Sequence, residues 1–344
     1  MKTAAWFFVG VLPALAQFSV ERNGDVIRLL DGKSQTVVSV MPSHGNGAFD
    51  MTVRGKKALY NPYLSPEEYK KSRGFTGIPF LAPWANRLDT TAFYANGKKY
   101  NFNLELGTVR RTPDNHPAHG FLTAASGWEV VEAKVDENAA WVTSRLEFYR
   151  HPDWMAQFPF AHTIEMTYRL KDGTLEVRTK LNNLSLDPMP VAIGFHPFYQ
   201  VNDAPRDEWT FGLGARTQWV LAPDKIPTGE TRPIGQFLPD PQHSVLKGLD
   251  LDHVFGDLIR DGSGRATMWV QGKAERVEVA LGPNYHAVVV WAPAGPHRDF
   301  ICFEPMAAIT DGLNLAERGL YKELQYIPPG KTWQESFWIT PSGF

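Results

Sequence analysis

Polar and apolar positions alternate most cleanly in Glu176-Val177-Arg178-Thr179-Lys180-Leu181 and in Arg276-Val277-Glu278-Val279-Ala280-Leu281. A period of two gathers the apolar side chains on one face, so both stretches read as half-buried strands. Turn dipeptides punctuate the chain at Asn23-Gly24, Asp31-Gly32, Asn96-Gly97, Asp172-Gly173 and Asp261-Gly262. Such pairs tolerate the positive φ of tight hairpins. The first two separate predicted strands at 18–22, 26–30 and 36–40. Helical signals are sparse. Ser65-Pro66-Glu67-Glu68 predicts a helix start, with Ser as N-cap, Pro at the first position and Glu at the third. That helix should stop by Gly74, and a second short one is expected over 312–318. With no fixed-period repeat and no strand–helix–strand alternation, the pattern predicts an all-β fold. It is a large antiparallel β-sandwich over residues 17–344, read as one domain with few short helices. The proline-rich stretches 221–241 and 292–296 read as long loops over a sandwich end, where binding residues tend to sit.

Composition narrows the partners. With 344 residues, 43% of them hydrophobic, the chain is long enough for a large core. A formal net charge of −2 gives no reason to expect nucleic acid or an anionic membrane as partner. The 11 Trp, 11 Tyr and 21 Phe are mostly core material, but they also provide platforms on which sugar rings can stack. At the N-terminus, Lys2, an apolar run at 4–12 and Ala14-Leu15-Ala16 form a charged region, an apolar core and a small-x-small site. This reads as a secretory signal peptide cleaved before Gln17, too short to span a bilayer. A soluble protein exported to a periplasmic or extracellular space is the expectation. The sole cysteine, Cys302, cannot form an internal disulfide.

Candidate chemistry lies in five segments. In Ile301-Cys302-Phe303-Glu304-Pro305-Met306, strand alternation puts Ile301 and Phe303 on one face and Cys302 and Glu304 on the other. A carboxylate beside a thiol and a thioether is partly desolvated, which raises its pKa toward that of a working base. Taken alone, the segment favours the plainer reading of a Glu on the wet face of an edge strand. The rigid run from Gly77 to Trp84 delivers Asn86 and Arg87, whose donors and acceptor suit adjacent hydroxyls. A structural Arg paired with a carboxylate is the equal alternative. His119 precedes Gly120 in a loop, a common surface arrangement. His196 sits among aromatics before Pro197, where a satisfied core histidine is the commoner outcome. In Leu249-Asp250-Leu251-Asp252-His253, alternation gives Asp250 and Asp252 a shared face.

Together these segments resemble the aldose 1-epimerase (galactose mutarotase) family. The matching elements are Pro83-Trp84-Ala85-Asn86-Arg87 with Phe93 and Gly97 after it, His119-Gly120, Gly194-Phe195-His196-Pro197-Phe198, Asp252-His253-Val254-Phe255 and Cys302-Phe303-Glu304-Pro305-Met306. They occur in the family's order and span most of the chain. The resemblance implies a large antiparallel β-sandwich with an open cleft that binds a monosaccharide. It implies that Glu304 removes the anomeric proton, that His196 donates to the ring oxygen and that His119 helps polarise that oxygen. Arg87 and Asp252 would hold sugar hydroxyls, with Asn86 supporting the same cleft. Base and acid, expected on opposite sides of the sugar, suffice for this reaction, so no metal or organic cofactor is required.

His119-Gly120 is followed by Phe121 rather than a second glycine. Phe121, Trp128 and Phe158-Pro159-Phe160-Ala161-His162 look closer to the branch that includes hexose-6-phosphate epimerases. Such a substrate needs a basic pocket, for which Arg110 and Arg111 are the candidates, whereas export argues against a phosphorylated metabolite. A carbohydrate-binding protein with little turnover is the alternative in another class. His162 and Cys302 read as structural, and Asn183-Leu184-Ser185 as a chance match to a glycosylation acceptor. The preferred aldose and the oligomeric state are not encoded in any of these patterns.

Overall fold

The computed structural model describes residues 17–71, 75–295 and 298–344. The leader read from residues 1–16 and the helix end expected near Gly74 lie outside the described residues. No helix among the described residues is long and apolar enough to cross a membrane.

Strands dominate, and the paired strands run antiparallel. A nine-stranded sheet runs in the order Ser244–Val245, Thr210–Leu213, Ala266–Gln271, Arg276–Leu281, Thr332–Ser342, Thr174–Asn183, His162–Lys171, Ala140–Glu147, Glu129–Val135. An eight-stranded sheet runs Pro227–Pro233, Ala215–Leu221, Leu251–Leu258, Ala287–Ala292, Ile301–Met306, Gly194–Phe195, Phe80–Leu81, with Phe198–Tyr199 also pairing to Ile301–Met306. The N-terminal strands from Phe18–Asn23 to Lys56–Lys57 form a separate five-stranded meander. Tyr168 of the large sheet donates to Asn46 O at 2.8 Å, tying that meander down. The inner faces of the eight- and nine-stranded sheets meet in one apolar core, where the rings of Phe195 and Phe337 lie 4.9 Å apart.

The turn chemistry largely does what the sequence implies. Asn96-Gly97 (φ 53° and 68°) joins Ala92–Ala95 to Lys98–Asn101, and Asp172-Gly173 (φ 47° and 75°) joins His162–Lys171 to Thr174–Asn183. The first hairpin turns one residue later than its dipeptide suggests, because Asn23 pairs with Val26 and leaves Gly24-Asp25 as the turn. The Pro66–Lys71 helix starts as expected, with Ser65 Oγ accepting from Glu68 N–H at 3.2 Å. The second helix covers Gly312–Glu317.

The stretch 221–241 departs from the expected loop. Pro227–Pro233 is a strand paired to Ala215–Leu221. It lies at the sheet edge, where proline's missing N–H costs no ladder bond, and the prolines sit at its first and last positions.

Candidate functional site

Three backbone segments converge on the edge of the eight-stranded sheet. Phe80 and Leu81 pair with Phe195 and Gly194, and Gly194 pairs with Met306. Beyond Leu81 the chain is stitched to both neighbours by single bridges: Ala82 to Gly120, Trp84 to Ala192, Arg87 to Ala118. These approaches need missing side chains. A Cβ on Gly120 would lie 1.9 Å from Ala82 O, and one on Gly194 would lie 2.7 Å from Pro305 O. Asn86 and His119 take left-handed backbone (φ 56° and 64°), and His119 N–H donates to Asn86 O at 2.9 Å. The segments carrying Arg87, His119, His196 and Glu304 are thereby fixed against one another.

Register supplies the rest. Asp252 pairs with Trp291, and Trp291 with Cys302, so the three form one row across the sheet. Glu304, two residues after Cys302, shares that face. Ile301 and Phe303 point the other way, into the main core, as alternation implies. Cys302 packs with Phe198 and Phe300 in a separate apolar cluster beside the site. The result is a cleft of about 270 Å³. Glu304, His196, His119, Arg87, Asn86 and Asp252 all line it, so every site residue proposed from the sequence is brought together.

His196 Nε2 lies 3.2 Å from Glu304 Oε1, on side chains only 6% and 1% exposed. The two groups therefore meet on one side of the cleft rather than facing each other across it. In an aldose the anomeric and ring oxygens are both bonded to C1, so groups that reach them are neighbours. Burial, then the nearby Asp252 charge, pushes the Glu304 carboxyl well above its usual range, with Arg87 acting the other way. Burial also lowers His196 strongly, and the Arg110 and Arg87 charges add to it. His119 is lowered by burial and by the neighbouring His196. Its ring is 5.7 Å from that of His196. Glu304 Oε2 and His119 Nδ1 are buried polar atoms without a partner among the described residues.

Arg87 lies between two acceptors. Nη2 donates to Asp252 Oδ2 at 2.9 Å, Nη1 reaches Asp252 Oδ1 at 3.4 Å, and Nη1 also donates to Asn86 Oδ1 at 3.1 Å. The arginine is therefore paired with a carboxylate, as one side of the sequence alternative has it, and the pair, about one-fifth exposed, opens to the cleft. Asp252 is steadied in turn by its N–H, which donates to His253 Nδ1 at 3.1 Å. Asp250 does not line the cleft; its carboxylate accepts from Ala294 N–H at 3.2 Å. His116 pairs with Asp224 at 3.2 Å.

Phe75 and Trp291 complete the cleft and were not legible as site residues. Phe75 lies edge-on to His196 (4.8 Å) and tilted against His119 (5.1 Å), and Trp291 lies edge-on to His196 (5.3 Å). The Arg110 guanidinium lies over the Phe75 ring at 4.4 Å from its centre, and Arg110 and Arg111 both line the cleft. Trp291 sits in Ala-Val-Val-Val-Trp-Ala, a uniformly apolar strand whose faces periodicity cannot separate. Three other candidates are structural. His162 Nδ1 contacts Phe160 O at 2.7 Å, the Cys302 thiol is buried, and Asn183 Nδ2 donates to Asp187 O and Ile327 O. Among the described residues no group of three or more His, Cys, Asp or Glu converges as a metal site.

A family model for aldose 1-epimerases matches residues 32–340. The chain belongs to the aldose 1-epimerase family. Solved structures agree on the fold. A galactose mutarotase-like protein from Clostridium acetobutylicum aligns over 95% of this chain and 98% of its own, with 19% identity and a TM-score of 0.81. Galactose 1-epimerase from Lactobacillus acidophilus NCFM aligns over 95% and 98%, with 17% identity and a TM-score of 0.73. An aldose epimerase homologue from C. elegans aligns over 90% and 97%, with 17% identity and a TM-score of 0.69. As an aldose 1-epimerase family member, the protein is an isomerase, and its all-β sandwich is the fold of the galactose mutarotases.

Proposed function

We propose that the cleft interconverts the α and β anomers of a free aldose without a cofactor. The observation that carries this reading is the buried contact between Glu304 and His196 on the floor of a sugar-sized cleft. Ionised Glu304 takes the proton from O1, and His196 gives a proton to O5 as the C1–O5 bond breaks. The aldehyde rotates about C1–C2 and the ring closes on its other face, returning both protons. Burial favours the uncharged form of each partner, so the resting pair holds one proton between them. Transfer across the 3.2 Å contact converts this form into the reactive carboxylate and imidazolium without loss of a proton to solvent. His119, held neutral, supplies an N–H toward the ring oxygen. Sugar hydroxyls would satisfy Glu304 Oε2 and His119 Nδ1, which have no partner among the described residues. Arg87, Asp252 and Asn86 hold the remaining hydroxyls, and Trp291 and Phe75 offer apolar faces to the ring.

A second reading, turnover of an aldose bearing an anionic group such as a hexose phosphate, is favoured by Arg110 and Arg111 along the cleft. The expected export leader, proposed to direct the protein out of the cytoplasm, weighs against phosphorylated substrates. Anomer-exchange NMR on glucose, galactose and their 6-phosphates tests both readings. Faster exchange with a free sugar supports the first, exchange confined to phosphates supports the second, and binding without faster exchange of any sugar rejects catalysis.

A further inference from the structure

Arg87 reaches the cleft from a segment whose far side is gripped by residues of the Gly312–Glu317 helix and its flanks. Asp311 N–H donates to Arg87 O at 2.9 Å. The Asp311 carboxylate Oδ1 accepts from Asp89 N–H at 3.0 Å. One residue therefore holds the peptide groups on both sides of Leu88. Leu88 is pinned from the other direction, its N–H donating to Pro117 O at 2.9 Å. Arg318 Nη1 lies 2.8 Å from Asp89 Oδ2, and its Nη2 donates to Asp311 Oδ2. Asn314 Nδ2 donates to Asp89 Oδ1 at 2.7 Å and to Ala92 O at 3.2 Å.

This grip is built at a cost. The Asp311 side chain is fully buried, its backbone is left-handed at φ 58°, and it faces a second carboxylate, Asp89. Burial and the Asp89 charge push its carboxyl up to about 7, with Arg318 opposing. A buried carboxyl that shares one half-exposed arginine with a second, partly exposed carboxyl is a poor way to stabilise a core. It is an effective way to fix backbone, because each oxygen accepts from a defined donor.

We propose that Asp311 is a positioning residue for sugar recognition: through its bonds to Arg87 O and Asp89 N–H it sets the angle at which the Arg87 guanidinium meets Asp252 and the sugar. The inference rests on the reading of Arg87 as a substrate-binding residue. Arg87 remains tied to Asp252 and Asn86 when Asp311 is changed, so the guanidinium is displaced rather than released.

The test is mutarotation kinetics, with melting temperatures, for the native protein, Asp311→Ala, Asp311→Asn, Arg87→Ala and the double variant Asp311→Ala/Arg87→Ala. Asp311→Ala should raise KM about tenfold with kcat changed less than about threefold, the scale expected of a small misplacement of a binding group. Asp311→Asn, which keeps an acceptor for Asp89 N–H, should recover most of that loss. In the Arg87→Ala background, Asp311→Ala should alter kcat/KM by less than about twofold, because its effect passes through Arg87. An equal penalty in both backgrounds, or a lower melting temperature with unchanged KM, overturns the positioning role while leaving Arg87 in place. A native KM in Arg87→Ala alone overturns the reading of Arg87 and with it this inference. Should Asp311→Ala not fold, Arg318→Gln in the same two backgrounds carries the comparison, with the same expected dependence on Arg87 and the same overturning result.

Discussion

Glu304 Oε1 and His196 Nε2 meet at 3.2 Å beneath the cleft, each almost entirely removed from solvent. Two groups so placed titrate as a unit. Glu304 is shifted up and His196 down, both chiefly by burial, so burial favours the form of the pair that holds a single proton. The pH profile of kcat/KM should be bell-shaped. Its acid limb, where a second proton removes the base, should follow His196 down to about 3, below the ordinary ranges of both groups. Its alkaline limb, where the last proton is lost, should fall above the ordinary carboxylate range. Glu304→Gln should abolish the bell along with most of the rate. A limb at the ordinary carboxylate pKa would show that Glu304 titrates alone in water.

Asp252→Asn tests the recognition pair. The amide keeps one acceptor for Arg87 but removes the charge that orients the guanidinium, so KM should rise about tenfold with a smaller change in kcat. A fall in kcat at unchanged KM would place Asp252 in the chemistry instead.

Arg110 and Arg111 bear on substrate class. Their joint replacement by Gln should leave turnover of neutral aldoses within about threefold if the first reading holds. The same change should cost about tenfold or more on an anionic aldose if those guanidiniums receive its charge. Comparing one free hexose with its 6-phosphate in native and variant protein separates the two outcomes.

Gly194→Ala probes the assembly of the site. The added Cβ would meet Pro305 O at 2.7 Å and Ala85 Cβ at 2.8 Å. The Gly194–Phe195 and Ile301–Met306 strands carry His196 and Glu304 into contact, so forcing them apart should lower stability by about 1–3 kcal/mol and reduce kcat as well. Denaturant melts and mutarotation rates measured together check this. Native values of both would mean that the backbone relaxes without cost.

Alternation and turn chemistry are local, and what depends on them is legible in the sequence. They place Glu304 on the face opposite Ile301 and Phe303, and they locate the Asn96-Gly97 and Asp172-Gly173 hairpins. The resemblance to aldose epimerases gathers Arg87, His119, His196, Asp252 and Glu304 into one cleft from the sequence alone. Long-range register is not legible. Nothing near Trp291 announces that it lies between Asp252 and Cys302, and nothing near Phe75 announces that its ring meets two histidines and an arginine. The Pro227–Pro233 strand was hidden because edge position, which alone makes its prolines tolerable, is a property of the whole sheet. The contact between Glu304 and His196 is not legible either, because it depends on where two segments distant in sequence pair.

The central claim is that Glu304 is the base of an anomer-interconverting cleft. The most direct measurement is polarimetry of freshly dissolved α-glucose and α-galactose with native protein and with Glu304→Gln, alongside sugar binding by calorimetry. Native protein should speed equilibration of at least one sugar, while Glu304→Gln should bind that sugar with similar affinity yet lose about a hundredfold or more of the rate. A variant that binds the sugar and equilibrates it at the native rate would contradict the account.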